Sequence, residues 1–538
     1  IIMNIAYKSC HTPFEDGEKA ILHPRFMDYN SDKIFKELIE IDQEEDSLFL
    51  QLLRDPAGFS SVITPDAKIT SKALEYIRSA DFMPSKEKAF DTVLTRRMTL
   101  IWGPPGTGKT HFLAKSVVAL IQAYKSAGKR FRILVTAFTH TAIENLLWEI
   151  HDNLTDAGLS DDVLLGKLDR LTEQSQDGFD LINSQGLAAS SSTEPYLILG
   201  GTVYAIKKYE TNLGQFDMLV VDETSQMKFG EFSLVIGILK TDGRLVLAGD
   251  DMQLPPLIQG EYPEPEDGLP GLYDSVFSYL RYRDSGNVYT CQLLENFRMN
   301  TTLSRFPAET LYGNGYIPAT AKIAGRKLLI TDPCDAAEDE GSEFLKWALD
   351  PDYPLVLCIV DNVRATVDNM VEADLTARLA CYLKKCMINH KTNETFPDTL
   401  KGHKQFWGSG LFIVCPHHAQ IRLIRKLLNK SMTWHHPPFV DTVDKMQGQE
   451  SQAVIASYGV SDIETAMSEA NFIYSLNRLN VTVTRAKTKC ILFISRPLLD
   501  QSYELLKNKY AMAGLNHMFN LRRFCERNGD ERVFPALF

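Results

Sequence analysis

The octapeptide Gly103-Pro104-Pro105-Gly106-Thr107-Gly108-Lys109-Thr110 has the spacing G-x-x-x-x-G-K-[ST]. Its glycines let successive backbone N–H groups curl around an anion. Lys109 adds a cation where the β- and γ-phosphates of a nucleotide would lie, and the Thr110 hydroxyl is suited to Mg²⁺. Further on, the apolar run 218–221 ends in Asp222-Glu223. After a phosphate loop, such a pair suits Asp222 to the Mg²⁺ shell and Glu223 to orienting and deprotonating an attacking water. The next apolar run, 245–248, leads through Gly249-Asp250 to Gln253, a neutral amide able to sense a γ-phosphate. These residue types in this order point to phosphoryl transfer from a nucleoside triphosphate.

To cradle phosphates, the loop must leave a strand and enter a helix. The apolar run 98–102 and the helical pattern 110–127 supply both. Further short runs at 133–137, 197–199, 218–221 and 245–248 alternate with helical stretches, which predicts a parallel sheet with helical crossovers. A second set at 355–360, 411–415, 453–456 and 490–494 predicts a second α/β lobe. Residues 1–80 read as mostly helical, with Ser31 as an N-cap. Residues 151–200 are acidic, with only Lys167 and Arg170 as bases, and are expected to form a solvated excursion. The stretch 260–268 reads as a surface loop, and two insertions, 332–343 and 389–410, interrupt the second lobe.

With 538 residues, 44% of them apolar and 23% charged, the chain can bury several cores. No run approaches the length of a membrane span, so no membrane association is expected. A net charge of −12 excludes a polymer coater that works by bulk positive charge. Any nucleic-acid contact needs a local basic track, and 401–440 provides one: Lys401, Lys404, Arg422, Arg425, Lys426 and Lys430 with no acidic residue. Nine scattered cysteines without a C-x-x-C fit neither a disulfide framework nor a zinc ribbon, and point to a reducing cytoplasmic or nuclear compartment. Ile rather than Met at position 1 suggests a piece of a longer protein.

Asp222-Glu223-Thr224-Ser225-Gln226 and Gly249-Asp250-x-x-Gln253-Leu254-Pro255-Pro256 together resemble motifs II and III of superfamily 1 helicases, in the branch of the nonsense-mediated-decay helicase and the Okazaki-fragment nuclease-helicase. Residues 136–147 resemble motif Ia, with Thr139-His140-x-Ala142-x-Glu144-Asn145 nearer to the nuclease-helicase form. Asn296-Phe297-Arg298-Met299-Asn300 is similar to the family's Tyr-Arg-Met element, with Phe297 in place of Tyr. Pro416-His417-His418-Ala419-Gln420, the stretch Asp441 to Glu450 and the stretch Asn477 to Lys487 resemble the later elements through motif VI.

The resemblance implies two tandem RecA-like P-loop domains, parallel sheets flanked by helices, at 82–286 and 287–500, with a mainly helical accessory segment at 1–81 and a helical tail at 501–538. It places ATP and Mg²⁺ between the domains, with Lys109, Glu223, Gln253, Arg298 and Arg485 as catalytic groups and Thr110 and Asp222 on the metal. Phe297 and position 86 would hold adenine, and Glu450 the ribose. Lys86 stands where the family has Gln; an ammonium only donates hydrogen bonds, whereas an amide also accepts. Thr139, His140, Thr202, Pro416, His417 and Thr442 would lie along a single strand. The implied activity is ATP-dependent 5′-to-3′ translocation on single-stranded nucleic acid, DNA by the wording of motif Ia, with a nuclease domain or subunit as a partner. Two alternatives stay open: an RNA helicase or ribonucleoprotein remodeller, and a nucleotide-switched interaction module that does not translocate.

Overall fold

Short runs of leucine and β-branched residues form two parallel sheets in the computed structural model, which describes residues 30–169, 179–182, 186, 194–257, 271, 273–331, 340–361, 364–446, 448–500 and 509–535. The first sheet comprises β1 (Met98–Trp102), β2 (Phe131–Ala137), β3 (Leu164–Leu168), β4 (Asp180–Ile182), β5 (Tyr196–Gly200), β6 (Phe216–Asp222), β7 (Leu239–Gly249) and β8 (Thr290–Gln292). Their order is β4-β3-β5-β2-β6-β7-β1-β8, parallel throughout. A sheet covered on both faces needs strands that are apolar on both sides. Accordingly Ile101, Ile133 and Val220 belong to one core, while their neighbours Leu100, Leu134 and Leu219 belong to another.

The described part of the N-terminal segment is packed onto this sheet's helices. Ile69, Ala73 and Ile77, four residues apart on the helix Ala67–Ser79, face the same core as the helix Lys109–Ser126. Ile34 of the helix Ser31–Gln43 lies against Gly230. Ser31 is the first helical residue, not the cap: Asn30 holds that position, without a side-chain cap hydrogen bond.

Two expectations about this half need correction. The segment 151–200 is not simply a solvated excursion, because it contributes β3 and β4 to the sheet edge. Lys167, one of its two bases, is fully buried and pairs with Glu144 at 3.1 Å. The first sheet also extends past residue 286. β8 pairs with β1 because the Asp284 carboxylate accepts from the backbone N–H groups of Val288, Tyr289 and Thr290 and turns the chain back along the edge.

Beyond β8, β9 (Glu295–Asn296) pairs with β10 (Ile317–Pro318). The second sheet then begins with β11 (Leu355–Asp361). The insertion 389–410 overlaps a hairpin of β12 (Ile388–Asn389) and β13 (Glu394–Thr395), and is anchored by buried Phe396, Phe406 and Trp407. The remaining strands are β14 (Leu411–Val414), β15 (Val440–Asp441), β16 (Ser451–Ser457), β17 (Ala486–Ser495) and β18 (Glu531–Pro535). The order is β15-β14-β16-β17-β11-β18, again parallel. The tail is therefore not purely helical: after the helix Lys509–Asn528 the chain adds β18 along the apolar β11. The loop 260–268 and the first part of the insertion 332–343 lie outside the described residues. Among those described, no helix is long and apolar enough to cross a membrane.

Candidate active site

In a parallel sheet the carboxyl ends of the strands share one edge, and ligands bind there. The phosphate loop leaves β1 at that edge, beside the ends of β6 and β7. Gly103 N–H donates to the Gly249 carbonyl at 3.0 Å, and Thr107 Oγ1 donates to the Pro104 carbonyl at 2.8 Å. Gly106 has φ +76°, and a Cβ there would lie 2.6 Å from Arg298 Cβ, so any side chain is excluded twice over. Lys109 Nζ donates to the Gly103 carbonyl, folding the side chain over the loop.

Thr110 Oγ1 donates to Asp222 Oδ2 at 3.1 Å, and the Glu223 N–H donates to Asp222 Oδ1 at 2.8 Å. These two oxygen-bearing side chains face the loop and fit a hard divalent cation. Glu223 adopts φ +51°, a left-handed conformation costly for a non-glycine residue, at the end of β6. Burial, and then Asp222 beside it, push the Glu223 carboxyl up to about 7. Burial lowers the Lys109 ammonium and raises Asp222, each opposed by the charge of the other.

Two arginines approach from the other side. The Phe297 N–H donates to the Gly106 carbonyl at 2.8 Å, tying the segment after β9 to the phosphate loop. Arg298 then reaches into the second lobe, where Nε donates to Glu450 Oε2 at 2.7 Å and a terminal nitrogen to the Thr484 carbonyl at 2.9 Å. Arg485, at the end of the helix Leu476–Thr484, donates to the Gln449 carbonyl at 3.2 Å and across the cleft to Gln253 Oε1 at 3.3 Å. Burial, with Arg298 adding to it, lowers Arg485 to about 9. Burial alone would raise Glu450, but Arg298 and Lys487 outweigh it and hold the carboxyl at about 2.

One cleft is thus lined by Pro104, Pro105, Gly106, Gly108, Lys109, Thr110, Asp222, Glu223, Gln253, Phe297, Arg298, Glu450 and Arg485. Lys86 sits at its margin, its ammonium 4.5 Å from the centroid of the Phe297 ring.

The two halves are tied together by hydrogen bonds that the motifs do not announce. Buried Asp250 accepts from Trp102 Nε1 (3.2 Å), Gln253 Nε2 (2.8 Å) and the Tyr312 hydroxyl (2.9 Å). Asn480 donates to that same hydroxyl (2.8 Å) and to the Met252 carbonyl (2.7 Å). Asn477, one helical turn earlier, donates to the carbonyls of Asp251 and Gln253. Two asparagines three apart on one helix face were a readable signal; Tyr312 carried none.

Five of the six residues predicted along a polymer line shallow grooves, one set on each lobe, and Thr139 stands beside the first. His140 and Thr202 share a groove with Phe138 and Tyr204, and Thr139 caps the helix His140–Asp156 through Ala142 N–H. Thr202 likewise caps the helix Val203–Leu213. On the second lobe Pro416 and His417 line one groove, with His417 Nε2 2.6 Å from Glu469, and Pro416 and Thr442 line the next.

Two family models, each described as an AAA domain, match residues 86–259 and 272–496. The mouse DNA replication ATP-dependent helicase/nuclease DNA2 is 28% identical over 453 residues, covering 81% of this chain and 39% of the mouse protein. The fission yeast DNA polymerase alpha-associated DNA helicase A is 25% identical over 472 residues, covering 78% of this chain and 65% of the yeast protein. Among solved structures, the complex of the arterivirus nonstructural protein 10 helicase with DNA is similar at 14% identity and a TM-score of 0.35, covering 76% of this chain and 62% of that one. The chain spans about two fifths of the length of the mouse DNA2 protein.

Proposed function

Because the chain belongs to the superfamily 1 helicases, in the group of the DNA2-type and nonsense-mediated-decay enzymes, we propose that it is an ATP-driven translocase on single-stranded DNA, moving 5′ to 3′. The observation that carries this reading is the meeting of Lys109 and Glu223 from the first lobe with Arg485 from the second around Gln253. Neither lobe alone offers a phosphate loop, a base and an opposing guanidinium, so hydrolysis depends on how the lobes sit against each other.

In this reading the phosphate loop and Lys109 hold the β- and γ-phosphates. Glu223, made more basic by burial and by its neighbour Asp222, takes a proton from the attacking water. Arg298 and Arg485 stabilise charge on the transferring group, an effect worth about 10³–10⁵ in rate for an arginine finger. Gln253, bonded to both Asp250 and Arg485, links the γ-phosphate end of the site to the second lobe. Thr110 and Asp222 would hold Mg²⁺, which would supply positive charge to offset that of the phosphates. Phe297 stacks on the base, and Glu450, held ionised, is available to a ribose hydroxyl.

Thr139, His140, Thr202, Pro416, His417 and Thr442 would carry the strand, since hydroxyls, imidazoles and backbone N–H groups grip phosphates without reading bases. The two sheets serve as the moving lobes. A nuclease domain or subunit as a partner, and action in the nucleus or cytoplasm, belong to the same proposal.

The test is ATP turnover without polymer, with single-stranded DNA and with single-stranded RNA, for the unsubstituted chain and Glu223→Gln. DNA should stimulate, and the variant should lose about 10²-fold or more. Stimulation by RNA alone favours the remodeller reading, and none by either polymer removes translocation. An unchanged variant rate places the base elsewhere.

A further inference from the structure

Lys86 lies on the helix Pro84–Thr95 with only 4% of its surface exposed. Its ammonium is 4.5 Å from the Phe297 ring centroid and would be 3.3 Å from a Cβ placed on Gly108. It therefore occupies the space between the end of the phosphate loop and an aromatic ring that is itself 37% exposed at the cleft. No described residue accepts a hydrogen bond from it. Glu295, whose charge acts on it, is committed elsewhere: Oε1 accepts the Ser85 N–H at 3.2 Å and Oε2 the Ser85 hydroxyl. Burial lowers the ammonium to about 8, with Glu295 opposing. Its nitrogen is not wholly enclosed and has three N–H donors to offer, so a ligand in the cleft can supply the acceptor that the protein does not.

The chemistry of purines says which ligand. A phenyl ring offers a π-face to every base and chooses among none. Adenine presents an amino donor at position 6 beside the N7 acceptor, whereas guanine and hypoxanthine present two acceptors, O6 and N7. A side chain that only donates matches the second edge, while an amide, which also accepts, matches the first. We propose that Lys86 makes this cleft a site for 6-oxopurine nucleoside triphosphates, GTP and ITP, at least as readily as for ATP, by donating to O6 and N7 of the base. The inference rests on the nucleotide-hydrolysis reading above and narrows its substrate.

The experiment measures kcat/KM for ATP, GTP and ITP with the full chain and saturating single-stranded DNA, for the unsubstituted protein, Lys86→Gln and Lys86→Met. ITP carries the 6-oxo group without guanine's 2-amino group and so isolates the contact. The unsubstituted protein should use GTP and ITP at least as well as ATP. Lys86→Gln should move the GTP:ATP and ITP:ATP ratios about tenfold or more toward ATP, the discrimination of one good bidentate contact. Lys86→Met should lose the 6-oxo preference without gaining one for ATP. A preference of the unsubstituted protein for ATP by about 100-fold would overturn the inference, and needs no variant to fold. An equal loss with all three nucleotides on substitution would also overturn it, assigning Lys86 to a phosphate or the ribose. Vigorous ATP turnover accompanying either result leaves the hydrolysis reading standing, whereas no turnover of any nucleotide removes both.

Discussion

Glu450 neutralises two cations at once, Arg298 at 2.7 Å and Lys487, while remaining partly open to solvent. Its carboxyl is held at about 2, against an ordinary value of 4.5. A depressed folded-state pKa contributes stability that is present above 4.5 and fades as the pH falls toward 2. Glu450→Gln should therefore melt at a lower temperature than the parent at pH 7, and the gap should narrow by pH 3. Calorimetry checks this, and a gap independent of pH would mean that the pairs add nothing. At this scale the sequence was informative, because phosphoryl transfer demands particular side chains at particular spacings: Lys109, Thr110, Asp222, Glu223, Gln253, Arg298, Glu450 and Arg485 were all nominated, and all line one cleft. Asp250 and Tyr312 were not, since their part comes from which buried polar atoms find each other after folding. Asn480→Ala would leave the Met252 carbonyl without this donor and remove the bond that the Tyr312 hydroxyl accepts, while its bond to Asp250 remains, at a cost of about 1–3 kcal/mol in urea unfolding. Because those bonds also join the lobes, the variant should lose more of the polymer-stimulated rate than of the basal rate.

Secondary-structure elements were legible wherever hydrophobic runs were continuous, which is why β1, β2, β6, β7 and the four apolar strands β11, β14, β16 and β17 were expected. β3 was not, because Lys167 interrupts its run. A lysine reads as exposed until a carboxylate is found to meet it. That carboxylate is Glu144, on the helix His140–Asp156, which brings it 3.1 Å from the Lys167 ammonium with both side chains almost wholly enclosed. Removing one member of an enclosed ion pair is destabilising, at a cost of about 3–5 kcal/mol. Glu144→Ala should lower the urea midpoint accordingly. Lys167 is also close to His140, at the groove proposed for the strand, so the double variant Glu144→Leu/Lys167→Met, which removes both charges, should recover most of the loss in stability. Failure of the double variant to recover would show that the pair is needed for packing beyond its charge.

Across the whole molecule, the sequence did not show where the edges of the two sheets lie. β8 crosses the expected domain boundary to join the first sheet, and β18 returns from the tail to close the second, because each covers a strand that its own lobe leaves open. The charge distribution is also a property of the whole. In a chain of net charge −12, the helix His418–Ser431 buries Ile421, Ile424 and Leu428 while turning Arg422, Arg425, Lys426 and Lys430 outward. An amphipathic helix needs a polar outer face but not one of a single sign, and this helix begins directly after the groove of Pro416 and His417. Arg425 is already committed to the Val440 carbonyl and Asp441, which leaves Arg422, Lys426 and Lys430 as the residues to test. Each cation that neutralises a single-strand phosphate releases counterions and steepens the salt dependence of binding by about 0.7 in log–log slope. Replacing all three by Gln should flatten the slope by up to roughly 2 while leaving hydrolysis without polymer unchanged, because none of the three lines the nucleotide cleft. An unaltered slope would mean that this face serves only to keep the helix soluble, and that the strand's grip lies wholly in the grooves.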